Sequence, residues 1–127
     1  MWTADTKFVV DRLERLNAEP VGLFTGRLDL GRLAMVGHSF GGATALQFYH
    51  EGSRCRAAID LDGIPFGSVV TDGLAIPAMF VLSDHSREMA DPESRQVMEE
   101  IQAIYARLPK PRVNATIRTA NHFSFSD

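Results

Sequence analysis

The sequence predicts an α/β protein with about four mostly parallel strands and helices packed on them. Three observations carry that expectation. Short apolar runs, LAMVG at 33–37, AAIDL at 57–61 and AMFVLS at 78–83, have the length and character of strands buried on both faces. Helical patterns alternate with these runs, as parallel strands joined by crossovers require. At one strand–helix junction lie the five residues GHSFG, 37–41, which fit Gly-x-Ser-x-Gly.

Residues 5–17 read as an amphipathic helix, capped by Asp5 or Thr6, with Val9, Leu13 and Leu16 on one face. Residues 18–32 hold Pro20, Gly22, Gly26 and Gly31 and read as a connecting loop. After the 33–37 strand, a helical pattern runs from Phe40 to near His50 and closes at Gly52. The 57–61 strand ends in Asp62 and Gly63, and the 78–83 strand ends at Asp84. Between these two strands, IPFGSVVTDG reads as loop. Pro92 opens a helix in which Val97, Ile101, Ile104 and Leu108 recur at helical spacing. VNATIRT, 113–119, alternates and is predicted as a strand nearer an edge.

Composition narrows the function classes. The chain has 127 residues, enough for one domain and one core, and is 45% hydrophobic and 23% charged. Its 13 Lys and Arg are scattered under a net charge of −3, which argues against a nucleic-acid partner. Cys55 is the only cysteine, so no intramolecular disulfide can form, and with four dispersed histidines no zinc spacing arises. No apolar run reaches membrane-span length, and MWTADTKFVVDR lacks the apolar core of a signal peptide. The compartment expected by default is the cytoplasm.

Ser39 is the residue best placed for chemistry. A sharp turn from strand to helix holds such a serine in strained backbone and lifts its hydroxyl above the carboxyl end of the sheet. Glycines at 37 and 41 are expected because side chains there would collide with nearby backbone. The helix N-terminus offers free N–H groups, and that of Phe40 is the candidate oxyanion donor. A serine also needs a base, and the base an orienting acid. His122 comes after the last strand, where the base belongs. His50 lies at the far end of the helix that Ser39 begins. His85 comes after the third strand, where an acid is expected. Asp62 and Asp84 compete as that acid, each ending a strand at the carboxyl edge; Asp60 is the weaker candidate. Phe66 and Phe123, with Phe125, either line an acyl pocket or cover exposed core.

GHSFGGATA, then AAIDLDGIPFG, then ANHFSFSD together resemble the plasma-type platelet-activating factor acetylhydrolases and their bacterial α/β-hydrolase relatives. FVVDRLERLNA and GRLDLGRLAMVGHSFGG are similar to the same group, so the resemblance spans nearly the whole chain. It implies a metal-free, cofactor-free serine esterase releasing short acyl groups from phospholipids or similar small esters. By motif, Ser39 corresponds to the nucleophile, Asp62 to the acid and His122 to the base. Cutinase-like polyester hydrolases share the elbow and a His-Phe pair but place the acid after the next strand, which would favour Asp84. Such folds carry about four more strands before the elbow, in domains of roughly 200 residues or more. Residues 1–127 are therefore expected to be a single truncated domain, a partial α/β-hydrolase fold whose N-terminal strands, with the loop supplying a second oxyanion donor, are missing. A bare sheet edge would then favour a homodimer. The alternative to an esterase is an inactive half-domain that self-associates or pairs with another chain.

Overall fold

The computed structural model describes residues 2–52, 54–84, 91–108 and 110–126; His85 lies outside the described residues. The elements are α1 (Trp2–Ala18), β1 (Ala34–His38), α2 (Phe40–Glu51), β2 (Ala57–Leu61), α3 (Val69–Asp72), β3 (Ala78–Leu82), α4 (Pro92–Arg107) and β4 (Val113–Thr116). Short 3₁₀ turns cover Leu30–Arg32 and His122–Phe125. The four strands form one parallel sheet in the order β1-β2-β3-β4.

Because consecutive strands are neighbours, right-handed crossovers all step the same way and bring their helices to one face. Burial alternates accordingly. Ala58, Asp60, Ala78, Phe80 and Leu82 are buried beneath helices, whereas Ile59, Leu61, Met79 and Val81 remain partly accessible. The apolar runs led to an expectation of strands buried on both faces, and here the structure differs. Register places Val36 beside Ile59 on the uncovered face, and Val36 is 61% exposed.

The core lies between the covered face and the helices. Leu46 and Phe48 of α2 belong to one buried cluster with Phe80 and Leu82 of β3, and Ile101, Ile104 and Leu108 join it from α4. The α4 stripe thus packs as its spacing predicts. Asp91 caps α4 by accepting the Ser94 N–H at 2.8 Å, just before Pro92. Helix α2 is buried continuously from Gly42 to Tyr49, between the sheet and α1. In α1 the predicted face is rotated: Val10 is the buried residue and Val9 is exposed. Beside Val10, Arg54 reaches both Asp11 and Glu14 of the same helix.

Candidate active site

The strand-to-helix turn is as tight as GHSFG predicts. Ser39 sits at φ 56° and ψ −125°, a left-handed conformation costing on the order of 1–3 kcal/mol in a non-glycine residue. Backbone bonds hold it there. The Ser39 N–H donates to Leu61 O at 2.8 Å, and Ser39 O accepts from Gly42 and Ala43 at 3.0 and 3.2 Å. A Cβ at Gly37 would lie 2.3 Å from the Gly41 carbonyl carbon, so glycine is needed for this close approach. At Gly41 the expectation fails: a Cβ would meet nothing within 4 Å. The second position where the turn demands glycine is Gly42, whose Cβ would fall 2.0 Å from an Asp60 carboxylate oxygen.

Ser39 Oγ lies 3.0 Å from His122 Nε2, although 83 residues separate the two in sequence. The other ring nitrogen, Nδ1, is 2.9 Å from Asp62 Oδ2. Asp62 is buried and left-handed at φ 55°, just past the end of β2. Its Oδ1 accepts the Ser83 N–H and its Oδ2 the Ser83 hydroxyl, both at 2.7 Å. An ionised carboxylate held by two donors can only accept, so Nδ1 carries the imidazole proton. That tautomer leaves Nε2 free to accept the Ser39 O–H.

Asp84 is placed elsewhere. Its Oδ2 accepts the Thr119 N–H at 3.0 Å, and its own N–H donates to Ala120 O at 2.9 Å. It ties down the loop that leads from β4 to His122. Of the two competing carboxylates, Asp62 is the one that meets the imidazole.

Ser39 and His122 open on a cleft of about 470 Å³. Phe40, Ile64, Leu82, Val97, Met98 and Ile101 supply its apolar lining. Asp91, Glu93 and Ser94, at the start of α4, add polar groups. Phe66 and Phe123 are not among its lining residues. Phe66 stacks on the Phe40 ring with centroids 4.9 Å apart, and Phe123, 76% exposed, sets its ring edge against His122. The sequence carries no sign of the α4 contribution, because Val97 and Ile101 belong to a stripe that reads as core. Ser83 and His38 likewise stand in no motif that would single them out. His38 Nε2 lies 2.8 Å from His122 O, a contact between distant segments that no local spacing signals.

Residues 15–127 match the family described as platelet-activating factor acetylhydrolase, isoform II. The chain belongs to this family. A platelet-activating factor acetylhydrolase of Cavia porcellus is 32% identical over 104 residues, covering 80% of this chain and 22% of the relative. One of Canis lupus familiaris is 32% identical over 102 residues, covering 79% of this chain and 21% of the relative. This family member thus spans about a fifth of the length of those relatives. Among solved structures, a ferulic acid esterase from Streptomyces cinnamoneus superposes with a TM-score of 0.76 at 28% identity, covering 99% of this chain and 34% of the esterase. A dienelactone hydrolase from Anabaena variabilis gives 0.61 at 18% identity, covering 90% of this chain and 47% of the other. The fold is that of the α/β-hydrolases.

Proposed function

We propose that the chain carries the acyl-transfer centre of a carboxylic ester hydrolase working through an acyl-enzyme. The observation that supports this most directly is the unbroken hydrogen-bond relay from Ser39 through His122 to Asp62, opening on an apolar cleft. Ser39 Oγ attacks the ester carbonyl carbon as His122 Nε2 takes its proton. Asp62 holds the imidazole in the required tautomer and stabilises the imidazolium. The Phe40 N–H, first in α2 and without an intrahelical acceptor, receives the developing oxyanion. Collapse breaks the ester C–O bond, and His122 returns the proton to the leaving alcohol. A water deprotonated by His122 then releases the acid. No metal or organic cofactor enters these steps.

Family membership and the likeness to a ferulic acid esterase support a small-molecule or lipid ester as substrate, with short-acyl phospholipid-like esters first among them. A second reading, a half-domain that associates without catalysis, draws on the exposed edge strand β1.

A fluorophosphonate probe separates the two. Covalent labelling of the native chain at Ser39, lost in Ser39→Ala, is the expected result; no labelling of the folded native chain would favour the second reading. Among variants, Asp62→Asn is expected to lower ester turnover on the order of 10⁴-fold by reversing the bond that sets the tautomer. Asp84→Asn keeps an acceptor for Thr119 and is expected to stay close to native turnover. Equal losses in the two variants would remove Asp62 from the proposed role.

A further inference from the structure

The residue just before the nucleophile is itself a histidine, and it does not line the cleft. Register sets His38 beside Leu61, on the sheet face that carries no helix. From there its Nε2 reaches the backbone oxygen of His122 at 2.8 Å. A carbonyl oxygen only accepts, so Nε2–H is the donor and the tautomer is set. The two imidazole rings lie 4.6 Å apart, tilted by 42°, and the Phe125 ring stands 6.0 Å from His38.

The turn His122–Phe125 is otherwise shaped by its own residues. Asn121 accepts the Phe123 N–H, and the Ser124 hydroxyl accepts the Asn121 N–H, which together form a capping box. Such bonds fix the conformation of the turn but not its height over the sheet. Upstream, Asp84 fastens Thr119 and Ala120. Within the turn itself, the backbone tie to the sheet among the described residues comes from His38, whose own main chain runs directly into Ser39.

We propose that His38 is a positioning residue: its Nε2–H bond to the His122 carbonyl sets the His122 imidazole at its working distance from Ser39 Oγ. One residue thereby indexes the backbone of the base to the backbone of the nucleophile. The inference rests on the roles proposed for Ser39 and His122. It deepens that reading by naming what holds them in register. A displacement of about 1 Å in such a pair is enough to cost about 10²-fold in rate.

The test uses the full chain and two variants. His38→Phe keeps a ring against His122 and Phe125 but removes the donor. His38→Gln returns an N–H at nearly the same reach. On p-nitrophenyl acetate, kcat of His38→Phe is expected to fall by about 10–100-fold with KM within about twofold, and His38→Gln to recover most of it. Backbone hydrogen exchange over 120–126 should quicken in His38→Phe and return toward native in His38→Gln. A native kcat in His38→Phe overturns the positioning role, and a native exchange rate there overturns the tether itself. His38→Gln resembling His38→Phe in both readouts does the same. Failure of the catalytic reading looks different: Ser39→Ala would then hydrolyse the ester at the native rate, and the exchange comparison alone would decide the tether.

Discussion

Asp60 and Asp62 lie two residues apart in AIDLDG and meet opposite environments. Asp62 has left the strand, and its positive φ turns its carboxylate toward Ser83 and His122. Asp60 stays within β2, fully buried beneath α2 and packed against Gly42 and Gly63. Its Oδ1 accepts the Gly63 N–H at 2.9 Å, while its Oδ2 is buried with no hydrogen-bond partner among the described residues. Burial pushes its pKa from 3.8 up to about 7; the Gly63 bond opposes the rise and the neighbouring Asp62 charge adds to it. The folded chain therefore keeps a proton that the unfolded chain loses between about pH 4 and 7. Stability falls as pH rises through that window, by about 1.4 kcal/mol per pH unit from this group, and levels off above it. Asp60→Asn keeps an acceptor for Gly63 and cannot ionise. Its thermal midpoint is expected to gain on the native chain from pH 4 to 7 and to stay higher at pH 8. Parallel pH curves for the two proteins would show that Asp60 does not titrate in this way. The sequence marks Asp62 and His122 through the motifs around them. Asp60 reads as the weaker of two adjacent candidates, because its burial depends on how closely Gly42 and Gly63 approach it.

At the scale of elements, the elbow explains why the sequence is legible in some places and silent in others. AAIDL reads as a strand over 57–61 and forms one over those residues, paired with β1 on one side and β3 on the other. LAMVG is shifted by one, with β1 spanning Ala34–His38, since pairing with β2 continues up to the turn. The loop read between the second and third strands contains the single turn α3, too short for periodicity to register. VNATIRT pairs regularly only to Thr116, after which Thr119 at φ 67° turns the chain toward His122. The glycines of GHSFGG look equivalent in sequence and differ in what surrounds them. Gly37→Ala drives a methyl into the Gly41 backbone and is expected to cost about 1–3 kcal/mol, with loss of activity as Ser39 shifts. Gly41→Ala meets open space inside a helix, where alanine gains roughly 0.5–1 kcal/mol over glycine. Thermal melts of the two variants check the contrast, and a destabilised Gly41→Ala would mean that the turn tightens beyond this geometry.

Among the described residues the strands form one sheet with an edge at β1, and the helices packed on it lie to one side. Register places Val36, Ile59 and Val81 on the uncovered face, and the far side of β1 pairs with no strand among the described residues. Unpaired N–H and C=O groups along such an edge are a template for another strand. Ala34–His38 contains neither proline nor lysine to blunt it. Val36 adds an exposed apolar side chain at the same place. In a chain of 127 residues, leaving one sheet face open removes a large part of the burial available to a small domain. The isolated chain is therefore expected to self-associate, through β1 first. Sedimentation velocity should show a weight-average mass that rises with concentration in the micromolar range. Val36→Lys places a charge on the open face of the edge strand, where substitution costs within about 0.5 kcal/mol of stability, and is expected to suppress the association. A concentration-independent monomer that unfolds cooperatively would mean that the edge is blunted by something other than its own sequence. Association unchanged in Val36→Lys would instead move the contact to another surface, with the exposed Phe8 and Val9 of α1 the next to test.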